Sequence, residues 1–398
     1  MAGLARRLAA PIAARLLKRL TGLPPSVLDP KVRHGSAAMR AYAPTQAPAL
    51  LERTGFLLHT PELLNHFNCV MELLPRGSFD LVVCRDADGS EEVKHTASRL
   101  KAKVYTVGDV LSSGKRYECL VSNHPVMLGD PALLKHVGAT NVRFMYAAGK
   151  SGWNFGDWNS LYDLILCYGP YHADEFAKRT DAVVVQMGYP RMDRYFNELS
   201  DLEELKKRFS CDPSKRTVVW LPTWKALSSV GLFDGQVAAL TAKYNVIVKV
   251  HPLMPGDEPD RVTRLKQHTF TCLITDASDN LPLYKVADFM LFDYGGPPFA
   301  GLYTDKRMLL LNVPDAARDQ LAGADSPDIA LRRTIASIDA RSGDIAQLLD
   351  NEGLWEQQRK QRADLRKLYF APYYGFSARV AALTLSNVNH IVASRGRA

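Results

Sequence analysis

The chain has few cysteines, and none of them forms a pair typical of a disulfide framework or a metal site. Six cysteines are scattered over 398 residues, and no two have the C-x-x-C spacing. Disulfide-rich secreted domains and structural zinc sites both depend on such pairs, so the pattern argues against both classes. We therefore expect a reducing, cytoplasmic environment. No cluster of metal-ligating residues stands out in the sequence, so we expect no metal site, and we expect no other cofactor.

Long apolar runs are absent as well. No stretch reaches the roughly 18 consecutive apolar residues of a membrane-spanning helix. The first 28 residues also lack acids, while leucine and isoleucine recur there at four-residue spacing beside five basic residues: Arg6, Arg7, Arg15, Lys18 and Arg19. This pattern predicts a basic helix over 1–28, with three open interpretations: contact with an anionic membrane surface, a docking helix, or a transit peptide. Membrane contact would place the protein peripherally on the inner face of the cell membrane.

The net charge of +8 suits an anionic partner. Nucleic acid, an anionic membrane and phosphorylated substrates all fit a basic protein. The chain has no zinc-finger spacing, no aromatic-basic RNA-binding signature and no dense lysine tract. Nucleic acid is therefore not an expected partner.

The order of apolar runs predicts an α/β fold. A chain of this length exceeds one ordinary core, and strands that alternate with helical stretches are typical of parallel sheets. We expect two Rossmann-like lobes with a cleft between them, divided into segments 1–28, 29–200, 201–345 and 346–398. The predicted strands of the first lobe are Asp80–Cys84, Lys103–Val107, Glu118–Ser122, Val142–Tyr146, Leu164–Tyr168 and Ala182–Gln186. Those of the second are Thr217–Leu221, Asn245–Val250, Thr271–Thr275, Phe289–Phe292 and Met308–Asn312.

Two strands of the second series end on residues suited to an anion. One ends on His251-Pro252, and the other on Asp293-Tyr294-Gly295-Gly296. Open parallel sheets bind ligands at the carboxyl ends of their strands, and glycines let a phosphate approach the backbone closely. His251 can bind phosphate or transfer a proton, or it is simply a hydrogen-bonded histidine at a strand end.

Other candidates are less distinctive when each is taken alone. Thr223 and Lys225 follow the first strand of the second lobe and suit phosphate recognition, although a plain loop explains them too. Asp293 can hold a ribose or substrate hydroxyl, or it can cap its own turn. For Arg191 and Asp193, in Gly188-Tyr-Pro-Arg-Met-Asp193, we favour a structural role.

The order of these motifs is more specific than any one of them. The series G-x-P-R-x-D, P-T-W-K, H-P and A-D-x(4)-D-Y-G-G resembles the CDP-glycerol glycerophosphotransferase family of teichoic-acid primases and polymerases, over Val142 to Lys306. The resemblance implies a GT-B-like fold with an acceptor lobe (29–200), a donor lobe (201–345) that binds the CDP-alcohol, and C-terminal helices (346–398). Carried over residue by residue, it implies catalytic roles for His251 and Asp293. It implies donor or phosphate binding for Thr223, Lys225, Asp288, Gly295 and Gly296.

The sequence departs from the family pattern at two places. Gly295 and Gly296 stand where the family usually has serines, so backbone N–H groups would replace hydroxyls. The family's W-H-G motif corresponds to Tyr146-Ala-Ala-Gly-Lys150, with Ala147 at the position of the histidine taken as the acceptor-activating base. Asp157, His172 and His124 are candidate replacements, and the sequence does not choose among them.

The expected function is transfer of glycerol phosphate, or a similar polyol phosphate, from a CDP-activated alcohol. The acceptor is a hydroxyl of a cell-surface polymer, such as a teichoic acid or capsule polysaccharide, or of a lipid-linked precursor, and CMP is released. Three alternatives are a GT-B glycosyltransferase using a nucleotide sugar, a non-catalytic binding protein that has lost the base, and a nucleotide-sugar epimerase. The released nucleotide distinguishes the two transferases, since a UDP- or GDP-sugar donor leaves a nucleoside diphosphate.

Overall fold

The fold is described from a computed structural model. It covers residues 54–125, 128, 132–318 and 325–395. The basic helix predicted over 1–28 lies outside the described residues. Within the described residues, no helix is both long and apolar enough to cross a membrane.

The first sheet has seven strands, all parallel, in the order β3-β2-β1-β4-β5-β6-β7. Its strands are β1 Thr54–Leu58, β2 Phe79–Val83, β3 Lys103–Thr106, β4 Tyr117–Ser122, β5 Gly138–Phe144, β6 Leu164–Cys167 and β7 Val183–Gln186. The second sheet has six parallel strands in the order β10-β9-β8-β11-β12-β13. They are β8 Thr217–Leu221, β9 Asn245–Lys249, β10 Cys272–Ile274, β11 Phe289–Phe292, β12 Arg307–Asn312 and β13 Ser337–Asp339.

Helices lie between the strands of both sheets. Those of the first series are α1 Leu64–Met71, α2 Glu91–Leu100, α3 Val107–Ser112, α4 Leu133–Val137, α5 Ser151–Asn154, α6 Pro170–Ala177, α7 Asp193–Asn197 and α8 Leu202–Arg208. Those of the second are α9 Asp234–Ala239, α10 Met254–Asp257, α11 Pro259–Leu265, α12 Leu281–Val286, α13 Pro297–Tyr303, α14 Pro327–Ala330 and α15 Ile345–Leu349. The chain closes with α16 Glu352–Tyr369, α17 Ser377–Ser386 and α18 Val388–Arg395.

The central strands are mostly apolar because both faces of a parallel sheet are buried. In β11 all four side chains are fully buried, and in β8 all five are buried. Trp220 of β8 donates its indole N–H to the Ser229 hydroxyl at 3.1 Å, so this large core side chain leaves no polar atom unsatisfied. Such strands form a rigid support for the residues that follow them.

The α/β fold of two Rossmann-like lobes is confirmed. The predicted strands of the second series coincide with β8 to β12 within one residue at each end. Two strands were not predicted. The first, β1, begins with Thr54-Gly55. Glycine is required at position 55, because a Cβ there would lie 2.9 Å from the Tyr117 ring. The other, β13, has only three residues, too few for a periodic signal.

The chain divides into two compact units. Among the described residues, the first comprises those within 54–146, 155–193 and 367–395, and the second comprises those within 147–154 and 194–366. The boundaries of these units differ from those of the predicted segments. The C-terminal helices are divided between the two units, and the short segment 147–154 around α5 belongs to the second unit. The functions assigned to the four predicted segments, such as acceptor lobe and donor lobe, remain predictions.

Asp193 has the structural position that its motif suggested. Its carboxylate accepts the backbone N–H groups of Ser377 and Ala378 at 3.1 and 2.6 Å, at the start of α17. The first N–H groups of a helix have no partner within the helix, so this carboxylate satisfies two of them. Burial raises the pKa of Asp193 to about 7, although these hydrogen bonds act against the shift.

Candidate active site at the edge of the second sheet

The carboxyl ends of three neighbouring strands bring most of the predicted site residues together. Strands β9, β8 and β11 are adjacent in the second sheet. The residues that follow them include His251 after β9, Thr223 and Lys225 after β8, and Asp293, Gly295 and Gly296 after β11. All belong to the second unit.

Asp293 organises the backbone of this edge. Its fully buried carboxylate accepts the N–H of Thr223 (2.8 and 3.0 Å), the N–H and hydroxyl of Ser229 (both 2.8 Å) and the N–H of Tyr294 (2.8 Å). Burial raises the pKa of Asp293 to about 6, and the hydrogen bonds oppose that shift. The side chain therefore ties the loops after β8 and β11 to each other.

His251 is held in a defined orientation. Its ring stacks on Trp224 with centroids 5.0 Å apart and planes 3° from parallel. The N–H of Leu253 donates to Nδ1 of His251 at 3.2 Å, so Nδ1 carries no proton. In the neutral ring the proton must then be on Nε2, which makes His251 a hydrogen-bond donor at that atom.

Lys225 also contacts the Trp224 ring on which His251 stacks. Its ammonium lies 3.9 Å from the centroid of the Trp224 ring, within the range of a cation–π contact. The backbone at Lys225 is left-handed (φ 57°), and its N–H donates to Glu258 at 2.7 Å. A non-glycine residue in this conformation costs about 1–3 kcal/mol, so the loop has to be held by its surroundings.

The glycine pair forms the turn into α13, and its two members differ. Gly295 has a φ of +103°, a conformation that side-chain-bearing residues rarely adopt. Its N–H donates to the Asp328 carboxylate, at 3.3 Å to Oδ1 and 3.2 Å to Oδ2. A Cβ built on Gly296 would meet no atom within 4 Å, so that residue faces open space.

Asp328, in α14, was not predicted from the sequence. It is fully buried, and burial raises its pKa to about 7, while the charges of Arg332 and Lys150 act in the opposite direction. Its own N–H donates to the Gly149 carbonyl at 3.1 Å. A Cβ at Gly149 would lie 2.3 Å from Oδ1 of Asp328, so only glycine fits against this carboxylate.

Arg332 contacts both Asp328 and the loop after β11. Its guanidinium lies 3.6 Å from the centroid of the Tyr294 ring and donates to the carbonyls of Asp293 and Asp328. It also donates to the Asn312 side chain at 2.9 Å. No motif marked Asp328 or Arg332, because both follow β12 in a stretch without a repeated pattern. The only available signal was their place in the segment that follows a further parallel strand, β12, which ends at Asn312.

Asp288 is not brought to this edge. It precedes β11, and its carboxylate accepts the N–H of Thr217 at 2.7 Å, at the start of β8. Asp288 and Asp293 lie at opposite ends of the four-residue strand β11, five residues apart, or about 17 Å at the usual rise per residue. The contacts of Asp288 pair the amino ends of two strands and do not bring it near the other predicted residues.

The first unit holds the three residues considered as replacements for the base. His172 is fully buried among aromatic rings, and Asp157 is exposed on a short 3-10 turn. His124 is almost fully buried, and its ring stacks on His59 at 4.4 Å. Burial, together with the nearby His59 and Arg143, lowers the pKa of His124 to about 3.

The described residues contain no cluster of three or more histidine, cysteine, aspartate or glutamate side chains arranged to hold a metal ion. The groups at this edge with the chemistry to bind an anion are the Lys225 ammonium, the Nε2–H of His251 and the Gly295-Gly296 turn.

Comparisons with known proteins agree with the motif order. Residues 131–315 match the family model described as CDP-Glycerol:Poly(glycerophosphate) glycerophosphotransferase. The teichoic acid glycerol-phosphate primase of Bacillus spizizenii is 25% identical over 175 residues, which cover 41% of this chain and 43% of that protein. The aligned part thus spans less than half of the relative. The resemblance inferred from the motifs is confirmed.

Solved structures confirm the GT-B-like fold. The wall teichoic acid polymerase TagF, in a variant soaked with CDPG, has a TM-score of 0.56 at 11% identity, over 91% of this chain and 94% of that one. A UDP-GlcNAc 2-epimerase from Neisseria meningitidis, bound to UDP-GlcNAc, has a TM-score of 0.57 at 11% identity. The match covers 84% of this chain and 99% of the epimerase chain. At such identities the likeness shows the fold alone.

Proposed function

We propose that this protein transfers glycerol phosphate, or a similar polyol phosphate, from a CDP-activated alcohol to a hydroxyl of a surface-polymer or lipid-linked precursor, releasing CMP. The observation that carries the proposal is the convergence of Lys225, His251 and the Gly295-Gly296 turn at one sheet edge, inside the stretch that matches the family model. The cytoplasmic side of the cell membrane is the proposed place of action.

The roles follow from the contacts of each residue. The Lys225 ammonium and the Nε2–H of His251 supply positive charge and a donor for the diphosphate, and the open side of Gly296 admits a phosphate oxygen. Donors fixed before the reaction stabilise charge that develops on phosphate oxygens as CMP leaves. Thr223, whose N–H bonds Asp293, offers its hydroxyl to the same group.

Asp293 acts here as a positioning residue. Its oxygens already accept hydrogen bonds from four donor groups, so we assign it to the geometry of the loops. We leave Asp288 outside the donor site because of its place at the opposite edge of the sheet.

Donor identity can be read directly from thermal stability. A ligand that binds only the folded state raises the melting temperature by mass action. We expect CDP-glycerol or CDP-ribitol to stabilise the full chain more than CMP, UDP-sugars or GDP-sugars. With glycerol-phosphate primers, free or lipid-linked, the products should be CMP and a new phosphodiester, visible by chromatography and phosphorus NMR. Cosedimentation with anionic vesicles tests the membrane part separately.

The alternatives give different results in the same assay. Preferential stabilisation by a UDP-sugar with release of UDP would replace this proposal by a glycosyltransferase. Donor binding without turnover on any acceptor would favour a binding protein, a reading that Ala147 supports since alanine cannot accept a proton.

A further inference from the structure

We infer that Asp328 is the base that takes the proton from the acceptor hydroxyl, in the role for which Ala147 has no side chain. The inference rests on the proposed function and adds a catalytic residue that lies outside the motifs. It is carried by the position of the Asp328 carboxylate, by its few hydrogen bonds and by its surroundings.

The carboxylate lies between two segments that the proposed reaction needs. On one side is the N–H of Gly295, 3.2 to 3.3 Å away, in the turn proposed for the donor phosphates. On the other is Gly149, in the segment 147–150 where the resemblance places the acceptor motif. An acceptor oxygen that attacks phosphorus must lie about 3 Å from both the phosphorus and its base.

Asp328 has unused hydrogen-bonding capacity. Its carboxylate accepts one hydrogen bond from the described residues, the N–H of Gly295, although a carboxylate has roughly four acceptor sites. Asp293, equally buried, accepts four donor groups. Buried polar groups are normally satisfied, so an under-bonded carboxylate beside a candidate active site requires an explanation. A substrate hydroxyl would be the missing partner.

The surroundings also suit proton transfer. Buried in the second unit, Asp328 has a pKa raised to about 7. A general base is most effective when its pKa is close to the working pH. The charged groups that act on it are Arg332 and Lys150, which favour the carboxylate, and Asp293, which disfavours it.

The other candidates are less suitable. Asp293 is saturated with donors, and the lowered pKa of His124 makes its ring a weak base. His172 lies inside an aromatic cluster, and Asp157 lies on an exposed turn. Among these four and Asp328, only Asp328 combines a raised pKa, unused acceptor sites and a contact with the proposed phosphate turn.

The step balances without an added reagent. The acceptor O–H gives its proton to the Asp328 carboxylate while its oxygen forms a bond to the β-phosphorus. The bond from that phosphorus to the bridging oxygen breaks, and CMP leaves with the electron pair. The protonated Asp328 then returns its proton to solvent. Gly149 covers the carboxylate in this structure, so acceptor binding has to open the Gly149 contact.

The test is Asp328→Asn, which keeps the size and an oxygen for the N–H of Gly295 but removes the base. With CDP-glycerol and a glycerol-phosphate acceptor, we expect kcat to fall about 10²- to 10⁴-fold. The Kd for CDP-glycerol, measured by calorimetry, should change less than threefold. The wild-type kcat should rise with pH along a limb near pH 7 that the variant lacks. Asp276→Asn, an exposed carboxylate of the same unit, is the matched control.

Two results would overturn the inference while leaving the proposed function intact. One is a wild-type chain that transfers while Asp328→Asn keeps more than a third of its kcat. The other is a parallel loss of donor affinity, melting temperature and turnover, which would mark a structural residue. If the asparagine variant does not fold, Asp328→Ala assayed with added formate, or the wild-type pH profile alone, decides. A wild-type chain that releases no CMP with any acceptor defeats both proposals.

Discussion

The two sheets end in very different chemistry at their carboxyl edges. At the edge of the first sheet, the buried His59 and His124 stack on each other, and the His59 ring hydrogen-bonds the His124 carbonyl and contacts Cys84. The edge of the second carries an exposed lysine, a half-buried histidine and a glycine turn. Because a carbonyl can only accept, His59 must carry its proton on Nε2.

This difference teaches that a histidine after a parallel strand is not in itself a catalytic signal. His124-Pro125 follows β4 as His251-Pro252 follows β9, and the two motifs look alike in the sequence. Burial separates them, since it lowers the pKa of His124 to about 3 and leaves it a neutral packing group.

Among the tests of this comparison between the two edges, the largest effect is expected at His251. His251→Ala removes the Nε2–H donor that we assign to the diphosphate, so kcat should fall about 10²- to 10³-fold with an unchanged melting temperature. Steady-state CMP release measures it. His268→Ala, a histidine of the same unit outside the site, is the control. Full activity of His251→Ala would show that His251, like His124, has no role in the reaction.

A smaller effect, on stability, is expected at Asp293. Asp293→Ala leaves four donor groups, most of them buried, without an acceptor, so the free energy of unfolding should fall by about 2–4 kcal/mol. Urea unfolding measures it, with the exposed Asp276→Ala as a control expected within about 0.5 kcal/mol. An equal loss in both variants would contradict the organising role of Asp293.

The smallest expected effect is an opposite pH dependence of the two units. In the second unit the pKa values of Asp293 and Asp328 are raised, so the native state binds more protons than the unfolded state between about pH 4 and 7. Stability from these groups therefore falls as pH rises through that window. In the first unit burial lowers the pKa values of His59, His66 and His124.

Those histidines bind fewer protons in the native state below about pH 6.5, so their contribution rises with pH. Asp193 and Glu92, whose pKa values are raised by burial, act in the opposite direction in this unit. Hydrogen exchange of the full chain at pH 5 and 6.5, corrected for the intrinsic rate, should show gained protection in β1 and β4 and lost protection in β8 and β11. The same direction in both units would show that other groups dominate.

Much of the fold could be predicted from the sequence. Strands such as Phe289–Phe292 are continuous apolar runs because both of their faces are buried, and their ends are marked by Asp293 and the glycines. A turn at Gly295 could be predicted as well, because a glycine pair directly after an apolar run is a local turn signal. Elements without a local pattern, such as β13, were not predicted. The hydrogen bond between Asp288 and Thr217 could not be predicted either, because the two residues are 71 positions apart.

By itself, the sequence determined the two parallel sheets, the order of the motifs and the residues that end each strand, because hydrophobic periodicity and turn chemistry are local properties. Only the tertiary structure decided what those residues face. It gave Asp293 four donors, directed the N–H of Gly295 to Asp328, buried His124 and left Lys225 exposed. Burial and hydrogen-bond partners set charge and reactivity, and they arise from segments that meet only when the chain has folded.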